Sequence, residues 1–345
     1  MEEVTPLYIL LLAILVTATI GIYFTFKRFN KLDSKTKPFS VIFWNVFFTG
    51  YLLLIVLFIG ESYYRFVKDS TDSFSINKVS KRWFKRHIQL NNFNVRDNTL
   101  YSYKIEPGKR RVSFIGDSFS QGHGVKNVDD RFSNILSEKK PNVEFHNLSV
   151  PGANSKTQLE TLNDLLENGY EFDLIVLVYV LNDIDYLMTN SKDIYKRIHN
   201  FQNNLSFLER ESYFINTLSF KLFALSDPDY KSYSDFVKTV YGNSLWEAHK
   251  LNLQKIKEFA SSTNSNFCVI TFPYLQKPYD QYDFKEIHNK LDAFWQSQQT
   301  RHLDLLDTYK SSLGKNLTVN SNDAHPNERA HKLASKAIGN FLFSN

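Results

Sequence analysis

The chain has 345 residues, 43% of them hydrophobic and 22% charged, and a formal net charge of +5. That excludes a peptide, a disulfide-stapled mini-domain and global disorder, and leaves room for one large domain plus something extra. The lone cysteine, Cys268, excludes a disulfide framework and a cysteine-based zinc site within one chain, and with +2 of the charge in residues 1–40 the remainder lacks the concentrated basic face of a nucleic-acid binder.

Leu7–Phe26 is a run of 20 residues without a charge, and Phe39–Gly60 is a second, of 22 residues. At about 1.5 Å per residue each spans roughly 30 Å, the thickness of a hydrocarbon core, and in lipid both must be helical to satisfy their backbone groups. Pro38 precedes the second run, where proline suits a helix start. A cleaved signal peptide fits the first run poorly, because Glu2 and Glu3 make its start acidic and no A-x-A site follows. Between the runs, Lys27, Arg28, Lys31, Lys35 and Lys37 outnumber Asp33. The excess of positive charge assigns that loop to the cytoplasm and everything after residue 60 to the outer side. Trp44, Tyr51, Tyr63 and Tyr64 are candidate interfacial anchors, and a single cysteine in an exported domain suits an oxidising compartment. The expected organisation is a transmembrane hairpin over 1–67, a membrane-proximal linker over 68–109 that packs on the domain, and a large domain over 110–345.

From residue 110 strands and helices alternate. Arg111–Gly116, Val143–Ser149, Asp173–Val180, Asn266–Phe272 and His302–Leu306 read as strands, the third a continuous apolar run suited to burial on both faces. Phe132–Glu138, Lys156–Glu167 and Ser244–Ser261 read as helices, and Ala330, Leu333, Ala334, Ile338, Phe341 and Leu342 mark an amphipathic helix at the C-terminus. Such alternation implies an α/β fold, a parallel sheet covered on both faces. Residues 186–245 interrupt the rhythm as an insertion near the site, a candidate lid, with Leu187, Met188, Ile194, Phe201, Leu205 and Phe207 as its apolar surface.

Ligands of an open parallel sheet bind beyond the carboxyl ends of its strands. Gly116-Asp117-Ser118 follows the first strand, Pro151-Gly152-Ala153-Asn154 the second and Leu181-Asn182-Asp183 the third, and Asn322-Asp323-Ala324-His325 precedes the last helix. Each is weak alone. A Ser, a Gly, an Asn and a His in that order, each at a strand end or before the final helix, form a far more specific set. Asp117 and Asp183 are expected as turn and hydrogen-bonding residues, and His123, five residues past the serine, in a structural or solvent-facing role, with lining of the pocket as the alternative. His325 is not expected to bind a metal, because no second ligand has suitable spacing.

On these four blocks, residues 110–345 resemble the SGNH/GDSL hydrolase family, in particular a membrane-anchored branch similar to cell-envelope glycan O-acetylesterases and O-acetyltransferases. The resemblance implies a flavodoxin-like three-layer α/β/α sandwich. It implies Ser118 as nucleophile, His325 as base and acid, and Asp323 as the group that orients the imidazole. The backbone N–H groups of Ser118 and Gly152 and the side-chain amide of Asn182 would form the oxyanion hole. Two positions depart from the family pattern. Val180 stands where a glycine is common in the third block, and Asn322 stands three residues before His325, where an aspartate is common, with Asp323 two before it. A carboxylate suits the orienting role better, which favours Asp323 over Asn322.

The implied activity is that of a membrane-anchored serine ester hydrolase or acyl transferase acting on an O-acylated envelope glycan. The alternatives are a lipid-directed esterase or lysophospholipase, and a membrane-tethered assembly subunit without activity. No cofactor, metal or nucleic acid is implied. A transferase would need a membrane partner to supply acyl groups, since two helices are too few to build an acyl-donor channel.

Overall fold

The computed structural model describes residues 4–29, 37–187, 191–242 and 244–343. Lys31, Asp33 and Lys35 of the connecting loop, and Met188, lie outside the described residues. The chain divides into two compact units. One holds the residues up to Asp69 with Ile76–Arg82 and His199–Ser226, and the other holds Ser70–Ser75, Trp83–Ile198 and the chain from Asp227 on.

The elements in chain order begin with helices α1 (Pro6–Phe29), α2 (Lys37–Ser62) and α3 (Lys78–His87). Next come β1 (Arg110–Gly116), α4 (Ser118–Gln121), α5 (Phe132–Lys139), β2 (Val143–Asn147), α6 (Ser155–Glu167) and β3 (Leu174–Val180). Helices α7 (Ser191–Asn203), α8 (Phe207–Glu211), α9 (Tyr213–Ser226), α10 (Pro228–Tyr241) and α11 (Ser244–Ser262) follow. The chain ends with β4 (Asn266–Phe272), α12 (Lys285–Ser297), β5 (Arg301–Asp304), α13 (Leu306–Tyr309), β6 (Thr318–Asn320), β7 (Asp323–Pro326) and α14 (Glu328–Phe343).

In the first unit, α1 and α2 pair antiparallel. The Tyr8 hydroxyl lies 3.0 Å from Ser62 Oγ, and Thr19 Oγ1 lies 2.8 Å from the Tyr51 hydroxyl. Tyr51 therefore bonds across the middle of the hairpin, not at its end as an anchor. Pro6–Lys27 and Val41–Val67 have mean hydropathies of 2.4 and 2.3 and are long and apolar enough to cross a membrane. A π-helical turn, Tyr63–Val67, extends α2. Glu61 and Arg65 pair there at 2.7 Å, both buried. Glu61 also accepts from the Ser212 hydroxyl at 2.5 Å and from the backbone N–H groups of Tyr213 and Phe214 at 3.1 and 3.0 Å. One carboxylate thus holds the cation beside it and caps the start of α9.

In the second unit, the order β2-β1-β3-β4-β5 makes a parallel sheet. Ile175 to Leu181 are wholly buried, as their unbroken apolar run requires. Helix α5 packs with α14, and α6 packs with α11. Because β1–α5–β2 and β2–α6–β3 run in opposite directions along the sheet, right-handed crossovers place these pairs on opposite faces. The fold is the three-layer α/β/α sandwich. The strand order reverses between β1 and β3, so their carboxyl ends flank the crevice of the sheet. Beside the sheet, β6 and β7 form a short antiparallel hairpin that the sequence reading leaves as plain chain before the last helix.

Candidate active site

Strand β1 ends on Gly116, where a side chain has no room. A Cβ would stand 2.8 Å from the Val178 carbonyl oxygen on β3 and 3.0 Å from Ser120 Cβ. Asp117 then leaves the strand and caps α4, its carboxylate accepting from Phe119 N at 2.8 Å. Ser118 opens α4. That helix is a single turn, so what it offers near Ser118 is individual N–H groups and not the field of a long helix.

The partner groups come from the hairpin. Residues two apart on a strand share a face, so β7 presents Asp323 and His325 together. His325 Nδ1 lies 2.6 Å from Asp323 Oδ1, and His325 Nε2 lies 2.8 Å from Ser118 Oγ. Asn322 is exposed in the turn, where its N–H bonds Asn320 Oδ1 at 2.8 Å. A hydroxyl, an imidazole and a carboxylate in this chain can pass a proton from oxygen to nitrogen and stabilise the resulting imidazolium.

Two further groups grip Asp323. The segment Ser70–Ser75 lies against the hairpin: Ser73 N bonds the Asn322 carbonyl at 3.1 Å, Ala324 N bonds Ser73 Oγ at 3.1 Å, and Asn320 Nδ2 bonds Ser70 Oγ at 2.8 Å. It delivers the Thr71 hydroxyl to Asp323 Oδ2. His123 Nε2 stands 3.0 Å from the Asp72 carbonyl and 3.3 Å from Asp323 Oδ2, so this nitrogen carries the proton. Its ring stacks on that of His325. His123 is buried beside His325, so a solvent-facing role does not hold. Burial would raise the Asp323 carboxyl, but His325 and His123, by charge and hydrogen bond, hold it well below the ordinary carboxylate range. Burial and then the neighbouring His123 lower His325, against the pull of Asp323.

Gly152 has φ of +74°, a conformation other residues resist, and among the described residues beyond its two chain neighbours a Cβ there would meet no atom within 4 Å. Its conformation, not crowding by the protein, calls for glycine. Asn182 Nδ2 lies 3.4 Å from Asp117 Oδ2. Asp183 accepts from Gln158 Nε2 at 3.0 Å and from Val180 N at 3.3 Å. Burial pushes the Asp117 carboxyl up to about 7, with the Asp185 charge adding to it, and burial raises Asp183 well above its ordinary value, with Asp117 adding to that. These two aspartates are hydrogen-bonding residues of the strand-end turns.

Ser118, Gly152, Asn182 and His325 open together on a cavity of about 540 Å³. Its walls are largely aromatic: Phe74, Phe119, Tyr195, Tyr233, Tyr274, Tyr282 and Phe284. Tyr195 and Tyr233 come from the insertion and direct their hydroxyls to Asp185 at 3.2 and 3.3 Å. Of the described residues singled out for a lid, Leu187, Ile194, Phe201, Leu205 and Phe207 do not line this cavity. Ile194 is buried and Phe201 stacks on Phe223. His123, Asp323 and His325 place ligand-type atoms within 4.8 Å of one another, a proximity that chain spacing hides. The atoms concerned are those already committed to Ser118, Asp72 and each other, so the cluster reads as a hydrogen-bonded relay.

Sequence reasoning missed Thr71, and of His123 it offered pocket lining as the alternative but not the contact with Asp323 and His325. Thr71 carries no local signal at 252 positions from Asp323. His123 has one: it sits between Gly122 and Gly124, both at positive φ, just after the serine turn.

Residues 112–338 match the model of the GDSL-like Lipase/Acylhydrolase family, about two thirds of the chain, and the chain belongs to that family. Among solved structures it is similar to a lipolytic G-D-S-L family protein from Veillonella parvula, at 16% identity and a TM-score of 0.42, over 68% of this chain and 99% of that one. It is also similar to the psychrotrophic esterase EstA from Pseudoalteromonas, at 14% identity and a TM-score of 0.40, over 68% and 97%. A third is the acetyl xylan esterase AlAXEase, at 12% identity and a TM-score of 0.41, over 68% and 100%. No curated protein sequence matches the chain.

Proposed function

We propose that this member of the GDSL family is a membrane-anchored serine ester hydrolase or acyl transferase. It works through an acyl-serine at Ser118 on an O-acylated, above all O-acetylated, glycan of the cell envelope. The observation that carries the reading is the hydrogen-bonded chain from Ser118 Oγ through His325 to Asp323 at the wall of an open cavity. Ser118 Oγ attacks the acyl carbonyl as its proton passes to His325 Nε2, and Asp323 stays ionised beside the imidazolium. The negative oxygen is taken by the N–H groups of Ser118 and Gly152 and by Asn182 Nδ2. The leaving sugar hydroxyl takes the proton from His325. Water then attacks the acyl-serine in a hydrolase, and a second sugar hydroxyl in a transferase, which would draw its acyl groups from a membrane partner.

The α1–α2 hairpin serves as the anchor, with the basic loop in the cytoplasm and Ser118 outside. A cavity of this size suits a small ligand, and the tyrosine rings in its walls offer flat faces to a sugar ester. A lipid ester is the second reading, favoured by the hairpin in the same chain. The full chain in detergent, treated with a fluorophosphonate probe, should be labelled at Ser118 and not in Ser118→Ala or His325→Ala. Folded chain that takes no label would end the enzymatic reading. Acetyl release from an acetylated glycan, without a steep rise in rate on synthetic esters of growing acyl length, supports the glycan. The steep rise alone would assign a lipid substrate.

A further inference from the structure

Helix α9 is turned inside out for a helix in water. Between Tyr213 and Ser226 it carries one charge, Lys221. It buries Asn216, Thr217 and Phe220, whereas Leu218, Leu222 and Leu225 stand 46%, 59% and 67% exposed. Those leucines recur at i, i+4 and i+7, which lines them up as one stripe; a helix facing water shows the opposite pattern. The buried polar groups are satisfied. Asn216 Oδ1 accepts from Lys78 N at 2.7 Å, Asn216 Nδ2 donates to the Glu209 carbonyl at 3.0 Å, and the Thr217 hydroxyl donates to the Tyr213 carbonyl at 2.8 Å. Hydrogen bonds therefore fix which side of α9 faces outward. In the preceding turn, Phe207 and Leu208 are exposed as well.

The position of α9 is fixed too. Glu61, in the last turn of α2, caps its first N–H groups. Gly60 lies so close to the Phe214 ring that a Cβ would come within 3.3 Å of it. The Tyr213 ring is covered by the cations of Lys78, Arg65 and Arg82 at 4.9–5.0 Å. An aromatic ring among cations at the end of an apolar span is the chemistry of the headgroup level of a bilayer.

We propose that α8 and α9 lie in the outer interface of a phospholipid bilayer, with the leucine stripe sunk among the acyl chains, as a third membrane contact beside the two spans. The inference rests on the reading of α1 and α2 as spans. At 14 residues, about 21 Å long, α9 is too short to cross a hydrocarbon core of roughly 30 Å and fits an interfacial helix. A bilayer, in preference to a partner protein, is favoured because the stripe begins where the apolar surface of α2 ends.

The test uses the full chain in phosphatidylcholine–phosphatidylglycerol vesicles. Cys268 is buried, so the parent chain is a silent background for thiol labelling. Leu218→Cys and Leu222→Cys would carry an environment-sensitive fluorophore. Leu53→Cys in α2 reports the span, and Leu251→Cys in α11 reports water. The expected result is blue-shifted emission at 218 and 222, quenched more by lipids doxyl-labelled near the headgroup than by those labelled deep in the chain. Emission like that of Leu251→Cys at both sites, with Leu53→Cys still quenched, would overturn the interfacial helix and leave the anchor standing. Blue-shifted emission without lipid quenching would place a protein or a second copy on the stripe and overturn it equally. Loss of quenching at Leu53→Cys would remove the anchor itself.

Discussion

The ring of His123 lies flat on that of His325, with centroids 3.9 Å apart and planes 14° from parallel. Both imidazoles face the same Asp323 carboxylate. A proton on His325 must then share one carboxylate with a second imidazole and sit in a buried site. Burial comes first and His123 second in lowering His325. A base with a lowered value stays neutral to lower pH, so the acid limb of kcat/KM should fall below about 6.5, the ordinary imidazole value. His123→Gln keeps a donor for the Asp72 carbonyl but removes the imidazole that lowers His325. It should move the acid limb to higher pH. A limb that stays put, or moves down, would show that His123 does not act on His325.

Thr71 reaches Asp323 from outside the region that the family match covers. Its hydroxyl fixes the carboxylate oxygen that does not bond His325. A hydrogen bond to a charged group is worth about 1.5–3 kcal/mol, so Thr71→Val should lower kcat/KM by roughly 10- to 100-fold. Thr71→Ser should restore most of it. Equal activity in Thr71→Val and Thr71→Ser, at matched thermal stability, would reduce Thr71 to packing.

Of the two neighbouring side chains of the last block, the hairpin turns Asp323 to His325 and leaves Asn322 exposed. Asp323→Asn keeps the shape but cannot stabilise the imidazolium, and a loss of about 10⁴ in kcat is expected for that change. Asn322→Ala removes an exposed side chain and should leave kcat within a few-fold. The reverse ranking in a steady-state assay would reassign the orienting group.

How far the molecule was legible in its sequence follows from the range of the interactions. Strand β3 was legible because burial on both faces writes an unbroken apolar run, and β4 because its run ends sharply at Phe272. That Ser118, Gly152, Asn182 and His325 gather at one cavity was legible because each follows or precedes an element that the pattern itself marks. The β6–β7 hairpin was not, since three- and four-residue strands are too short to show a period. Its pleat is nevertheless what makes an Asp-x-His spacing productive. The Thr71 bond and the stacking of His123 on His325 join residues far apart in the chain; the glycines beside His123 mark a turn but not its partner. The outward leucines of α9 were unreadable for a related reason: spacing shows a stripe but not which side the fold turns outward.

Asp117 makes a stability test possible. Its carboxyl is buried, caps α4 and is pushed up to about 7, first by burial, from 3.8. Between those two values the folded chain holds a proton that the unfolded chain has released. Stability should therefore fall as pH rises from about 4 to about 7 and flatten above, with Asp183 adding a slope of the same sign. Asp117→Asn keeps the cap oxygen and cannot titrate. In denaturant titrations of the detergent-solubilised full chain across that window, the variant should lose up to about 1.4 kcal/mol per pH unit of the slope, the value of one proton. The same change turns a second amide toward Asn182, whose Nδ2 now faces the Asp117 carboxylate while its Oδ1 meets no donor among the described residues. An amide at 117 can satisfy that oxygen if Asn182 turns over, which withdraws its N–H from the oxyanion. Asp117→Asn should accordingly lower kcat about as much as Asn182→Ala does while flattening the stability profile. A parallel slope would place the proton elsewhere, and unchanged kcat would free Asn182 from Asp117.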